Sequence, residues 1–136
     1  WIVTPEPHAP EITDTKLHEL IAAALVDSKD VEEKLFARAA AYASIPTIPV
    51  PDPEVEIFTD AATDATVIEV RSHDRPGLLF RIGAAITQSK IDIRSAIVTT
   101  LGAEAIDTLY VTELTGGPLS SERANEVASH LKQALK

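Results

Sequence analysis

The amino-acid sequence predicts an α+β fold, with helices on one face of an antiparallel sheet, preceded by a helical segment and a proline-rich linker. First, the region after the linker alternates apolar and polar residues with the period of strands, and two segments with helical spacing interrupt it. Second, residues 44–53 carry four prolines, which exclude a helix and favour a semi-rigid extended spacer. Third, residues 13–43 before this spacer show helical spacing.

Composition and charge restrict the classes of function. The 136 residues suffice for about one domain with additional segments, and a net charge of -9 with an isoelectric point near 4.8 opposes binding to nucleic acids or anionic membranes. The absence of cysteine excludes disulfides and thiolate chemistry. No apolar run reaches the roughly 18 residues of a membrane span and no secretory leader is recognisable, so a cytoplasmic location is expected. The absence of methionine, even at the first position, suggests a chain cut from a longer protein.

An internal repeat relates the N-terminal segment to the end of the chain. Val3-Thr4 matches Val111-Thr112 at an offset of 108 residues. We therefore interpret residues 1–26 as the tail of a preceding copy of the C-terminal domain, and coincidence between short amphipathic segments is the alternative. The apolar stripe of this tail is expected to dock on a sheet face of the same chain or of another copy. The apolar stripes match at an offset of 110 residues: Leu17, Ile21 and Leu25 correspond to Val127, Leu131 and Leu135.

Two helices are expected before the linker. Thr13 or Asp14 is a suitable N-cap for a first helix that ends near Val26. Residues 27–43 predict a connector helix, whose acidic first turn suits the helix dipole better than a metal site. The proline-rich linker then separates this region from the folded domain, residues 54–136.

Within residues 54–136 the expected order is strand, strand, helix, strand, strand, helix. The first two strands pair as an antiparallel hairpin, and a tight turn joins the second two. The predicted strands cover 54–59, 66–72, 91–100 and 105–114; the helices run from about Pro76 to Gln88 and from an N-cap at Ser120 or Ser121, with Val127, Leu131 and Leu135 as the core stripe of the last.

The segment between the second strand and the following helix is the candidate binding site. Pro76 suits the first helical turn and Asp74 is a suitable N-cap. Gly77 lacks a Cβ, so a small anion can approach the free backbone N–H groups of that turn. Arg75 is expected to point into solvent. The alternative is that these residues only start a helix.

Three motifs occur in order within residues 67–135: Asp-Arg-Pro-Gly-Leu-Leu, Thr-Thr-Leu-Gly, and a Tyr-Val-Thr strand followed by Gly-Pro-Leu. In this order they resemble the ACT domain family, the small-molecule regulatory modules of many enzymes of amino-acid metabolism, and in particular the ACT domains of enzymes that uridylylate the bacterial signalling protein PII. The resemblance implies a ferredoxin-like βαββαβ fold. One difference is that this chain stops after the second helix, so the strand over residues 54–59 is expected to replace the family's last strand at the sheet edge.

The resemblance also implies a ligand and a mode of assembly. The domain would sense a small amino acid, with glutamine as the expected effector, and would form a homodimer or pack on a neighbouring ACT repeat. In the segment containing Pro76, the backbone N–H groups of Gly77, Leu78 and Leu79 would meet the ligand carboxylate, and Asp74 would accept a hydrogen bond from its ammonium. The selective wall across the interface would be formed by Arg94, Ser95 and Ala96.

The sequence predicts no catalytic or metal site. The four histidines lack metal-ligand spacing, and neither a nucleophile triad nor a phosphate-binding loop is recognisable. The segment is therefore expected to be non-enzymatic and without a cofactor, and the resemblance implies a parent with nucleotidyltransferase and phosphohydrolase domains that acts on PII. Two alternatives stay open: a dimerisation or packing module without a ligand, and the ACT domain of another enzyme of amino-acid metabolism.

Overall fold

A computed structural model of the chain describes residues 12–26, 28–42 and 51–136. The chain divides into two compact units, Trp1–Ala41 and Tyr42–Lys136. The first eleven residues, which include the Val3-Thr4 match of the repeat, and most of the proline-rich linker lie outside the described residues. Their structures therefore stay predictions, as does the interpretation of residues 1–26 as a preceding repeat.

The described part of the first unit is helical. Helix α1 covers Asp14–Val26, and helix α2 begins at Ser28 and ends at Tyr42. Thr13 caps α1, because its Oγ1 accepts a hydrogen bond from the Lys16 amide at 3.3 Å. None of the residues of α1 is buried, and its apolar side chains include Leu25 at 83% exposure. The helix boundaries are close to those predicted, whereas docking of the apolar stripe stays a prediction.

The second unit contains a four-stranded antiparallel sheet in the order β1-β2-β4-β3 and two helices. This arrangement confirms the predicted order of elements and the α+β class. The elements are β1 (Glu54–Phe58), β2 (Thr66–His73), α3 (Leu78–Gln88), β3 (Ile91–Leu101), β4 (Glu104–Glu113) and α4 (Ser121–Ala134).

The core lies between one face of the sheet and the two helices. In β2 and β4 the alternate residues facing the helices are buried, as the two-residue period of a strand requires. Each helix places residues spaced three or four apart on the same core. The Ser120 side chain caps α4 by accepting from the Arg123 amide at 3.2 Å, as predicted. The largest fully buried apolar side chains are Ile68, Val70, Ile82, Val111, Val127 and Leu131.

Strand β1 occupies the sheet edge beside β2, and its antiparallel pairing with β2 is as predicted. The hairpin register pairs Val55 with Val70 and Ile57 with Ile68, so the apolar side chains of β1 reach the core face. Helix α4 contacts β1 from above. Strand β1 thus covers the side of the core beside β2, which would otherwise be exposed.

Removal of residues 1–60 should destabilise the second unit relative to removal of residues 1–50. The difference is strand β1, whose Val55 and Ile57 side chains pack against the core. Loss of their burial should lower the free energy of unfolding by roughly 2–4 kcal/mol. Thermal unfolding of the two truncated chains measures this, and equal melting temperatures would show that β1 does not stabilise the fold.

Candidate functional site

The segment between β2 and α3 forms a β-turn, and it is not part of the helix. Helix α3 begins at Leu78, two residues later than predicted, and its N-cap position is Gly77 with φ 83° and ψ 5°. The Leu78 amide donates to the Arg75 carbonyl at 3.1 Å, which together with the Gly77 angles defines a type II turn with Pro76 at its second position. The predicted cap at Asp74 is therefore wrong. Pro76 and Gly77 are the two central residues of this turn, so the helix begins only after them.

This turn leaves the positive end of α3 open. Within the described part of the chain no side chain caps the helix, and its first turn contains no acidic residue. The predicted donor at Leu78 is already used inside the turn. The Leu79 amide is one of the first-turn N–H groups that have no intrahelical partner, and the Leu79 side chain is 53% exposed. A ligand carboxylate is therefore expected at Gly77 and Leu79 more than at Leu78.

Two contacts hold the turn on the rest of the domain. The Asp74 amide donates to the Ala103 carbonyl in the β3–β4 turn at 2.8 Å. The Arg75 guanidinium donates to the Leu135 carbonyl at the C-terminal end of α4, where the helix dipole favours a cation. Burial lowers the pKa of Arg75, and the nearby Arg81 charge lowers it further. The prediction that Arg75 points into solvent is therefore wrong. Its partner is a carbonyl at the end of α4, which is so distant from Arg75 along the chain that the sequence does not indicate the contact.

A buried carboxylate lies on the helix-covered face of the sheet. Asp107 is 0% exposed and stands opposite Val70 of β2 and Val98 of β3. Among the residues that the structure describes, neither oxygen of its carboxylate has a hydrogen-bond partner. Burial raises the pKa of Asp107, and the charge of Asp74 raises it further.

Sequence reasoning missed Asp107, although a signal was present. In β4 it alternates in phase with the apolar Ala105, Leu109 and Val111, so the period of the strand places a carboxylate on the core face. An acidic residue in register with core positions is uncommon unless it is paired, which makes the position informative.

The predicted wall residues lie far from the turn within one chain. Arg94 is at a β-bulge between Ile93 and Ser95, and it is exposed. The turn follows His73, which lies level with Glu104 of β4 and Leu101 of β3. The wall residues lie five to seven positions before Leu101 along β3, which is a distance of roughly 16–23 Å. A second copy or repeat would have to bring the wall to the turn, so its role stays a prediction. The residues concerned are Arg94, Ser95 and Ala96.

Two further features are absent from the described ranges, a metal site and a membrane-spanning helix. No group of three or more His, Asp and Glu side chains there is arranged to hold a metal ion. No helix of the same ranges combines the length and hydrophobicity needed to cross a membrane.

Comparison with known proteins gives the following similarities. Residues 66–130 match the ACT domain family. The chain is 40% identical over 121 residues to the bifunctional uridylyltransferase/uridylyl-removing enzyme of Streptomyces coelicolor, covering 89% of this chain and 14% of the relative. It is 33% identical over 130 residues to the enzyme of the same name from Erythrobacter litoralis, covering 96% of this chain and 14% of the relative. No solved structure matches significantly.

Replacement of Asp107 by asparagine should stabilise the domain at neutral pH. The pKa of the buried carboxyl is raised in the folded state, so the folded protein binds the proton more tightly than the unfolded protein does. Stability is therefore lost as the pH rises from the ordinary value of 3.8 through the folded pKa, and it stays low above that. Asparagine keeps the shape without the buried charge, so the melting temperature at pH 7 should rise by at least about 4 °C, or roughly 1 kcal/mol.

Differential scanning calorimetry from pH 4 to pH 8 checks this expectation. The difference between Asp107→Asn and wild type should grow with pH. Asp92→Asn is the matched control, because it removes a carboxylate from an exposed position of β3. A difference that is independent of pH would contradict the assignment of a buried charge at Asp107.

Proposed function

Residues 66–130 belong to the ACT domain family, and on that premise we propose that the chain is a regulatory module that binds a small amino acid, glutamine. The observation that supports a ligand at this place is the open positive end of α3 beside a turn with a glycine at φ 83°. The N-terminus of a helix favours an anionic group such as a carboxylate. Gly77, which has no Cβ, keeps the approach to these amides clear.

The module would regulate a longer enzyme rather than catalyse a reaction itself. The chain spans 14% of the length of the bifunctional uridylyltransferase/uridylyl-removing enzymes that it matches. We propose that the parent protein has such activities, with PII as its protein substrate and with catalysis in nucleotidyltransferase and phosphohydrolase domains outside this segment. Glutamine would control the balance of the two activities if it bound one arrangement of the parent more tightly, typically by about 1–3 kcal/mol.

The two edges of the sheet support association through β3. Strand β1 is only five residues long, includes Glu54 and Glu56, and follows a proline, all of which discourage pairing with another strand. Strand β3 has eleven residues, and its half from Ser95 to Leu101 is uncharged and exposed. An exposed edge of this kind is a template for another strand. We propose that β3 packs on a second copy or on a neighbouring ACT repeat.

The same edge favours a second candidate function, in which the chain is a dimerisation or packing module that holds no ligand. The two proposals differ in the effect of free amino acids on stability. A ligand that binds the folded state raises the melting temperature by mass action, whereas a packing module would respond to protein concentration alone. A thermal-shift panel of the common amino acids at two protein concentrations therefore separates them.

A carboxylate introduced at the start of α3 should compete with the ligand carboxylate. In Leu79→Glu, the new side chain lies in the first turn of the helix, where it should stabilise α3 but weaken glutamine binding by roughly three- to tenfold. Leu79→Gln has the same shape without the charge and should bind glutamine as wild type does. Isothermal titration calorimetry measures both affinities.

Equal affinities of the Glu and Gln variants would place the ligand carboxylate elsewhere. Gly77→Val is a poorer test of access, because φ 83° is strained for any side chain and most for a β-branched one. A loss of affinity in that variant would not separate a blocked site from a distorted turn.

A lysine on the β3 edge should prevent association. Ile97 is 55% exposed, and Ile97→Lys places a charge in the middle of the uncharged half of the strand. The variant should be monomeric by light scattering at concentrations where the wild type forms dimers. Phe58→Lys on the opposite edge, where the native side chain is 41% exposed, is the control and should leave the dimer intact. A wild-type chain that is monomeric at about 0.1 mM would overturn this proposal.

A further inference from the structure

The carboxylate of Asp107 is an unexplained feature of the core. It is fully buried, and the residues opposite it in the sheet, Val70 and Val98, have side chains that carry no hydrogen-bond donor. Neither of its oxygens has a partner among the described residues. A buried charged group without partners costs several kcal/mol, and such groups concentrate at functional sites.

The surroundings of the Asp107 carboxylate favour binding of a cation that has N–H donors. The charge that acts on Asp107 comes from Asp74, which is another carboxylate in the turn before α3. Because the charge of Asp74 already acts on Asp107, a further anion at Asp107 is disfavoured and a cation is favoured. A metal ion would need more ligands, and the described residues supply no group of three or more. An alkylammonium offers one positive charge and three donors, which is the complement that the carboxylate lacks.

We propose that Asp107 binds the α-ammonium of the amino acid effector. This inference rests on the proposed function and adds the residue that recognises the amino group. The α-carboxylate would lie at the open end of α3, near Gly77 and Leu79, and the ammonium would pair with Asp107 below. The turn Asp74–Gly77 links the two subsites, because it joins β2, the strand paired with Asp107, to the start of α3.

Burial of Asp107 gives this pairing a conformational consequence. In the chain without ligand the carboxylate is inaccessible, so the ammonium reaches it only after the covering residues move aside. Ligand binding then replaces an unpaired buried charge by an ion pair with hydrogen bonds. Pairing thus removes an unfavourable feature of the ligand-free state, and that gain favours the arrangement that holds the ligand.

Asp107 would also discriminate between amino acids and other carboxylates. A site that hydrogen-bonds a charged amino group rejects an analogue without it, because the buried acceptor is left unpaired. Glutamine and its des-amino analogue 4-carbamoylbutanoate differ only in that group. Comparison of the two ligands isolates the contribution of the ammonium.

The test is calorimetric titration of the full 136-residue chain with glutamine and with 4-carbamoylbutanoate. Wild type should bind glutamine at least about tenfold more tightly than the analogue. Asp107→Asn should lose this preference by binding glutamine at least about tenfold more weakly while binding the analogue as well as wild type does. Asp92→Asn, which removes an exposed carboxylate of β3, should keep the wild-type preference.

Three results would overturn the inference. Unchanged glutamine affinity in Asp107→Asn would show that the carboxylate does not meet the ammonium. Equal losses for both ligands would assign Asp107 a structural role. Wild type that binds no amino acid would overturn the proposed function and this inference together, and circular dichroism of Asp107→Asn confirms that each comparison is made on folded protein.

Discussion

The antiparallel pairing of β2 with β4 is the interaction on which the other features of the domain depend. These two strands form the middle of the sheet, and their register over Thr66–His73 sets which residues face the helices. The same register brings the end of β2 level with the β3–β4 turn, where the Asp74 amide meets the Ala103 carbonyl. The position of the turn between β2 and α3 is thus a consequence of strand pairing and not of the turn residues alone.

The start of α3 and the core face of β4 each contain polar groups without a partner among the described residues. Among the described residues, the start of α3 has no side-chain cap and no acidic residue in its first turn, and the carboxylate of Asp107 in β4 has no hydrogen-bond partner. A compact domain usually pairs such groups internally, because each costs free energy when it is buried or left unneutralised. In the proposed complex, the carboxylate of a zwitterionic amino acid would complement the start of α3 and its ammonium would complement Asp107.

The two edge strands of the sheet, β1 and β3, differ in length, charge and exposure. Strand β1 is short, acidic and covered by α4, whereas β3 extends well past the part of the sheet that α3 covers. Its exposed half includes Val98, which lies on the helix side of the sheet and is still 48% exposed. The proposed ligand site at the start of α3 and the proposed association edge on β3 are therefore formed by different elements of one small domain.

Local pattern was enough to predict most of the fold. The two-residue and helical periods identified the strands, the helices and the core, and the Ser120 cap followed from side-chain chemistry within one turn. The antiparallel pairing of β1 with β2 also followed, because the two strands are neighbours in the sequence and form a hairpin. These features depend on residues close together in the chain, so the sequence by itself determined them.

Only the tertiary structure decided the features that join distant residues. The Arg75 contact with the Leu135 carbonyl spans 60 residues, and the burial of Asp107 depends on three strands and the helices above them. The predicted cap at Asp74 failed because a type II turn competed with the helix start, and the two differ by small local energies that the surrounding contacts decide. Sequence patterns report which residues are apolar and how they are spaced, whereas the partner of a buried charge depends on which elements meet in space.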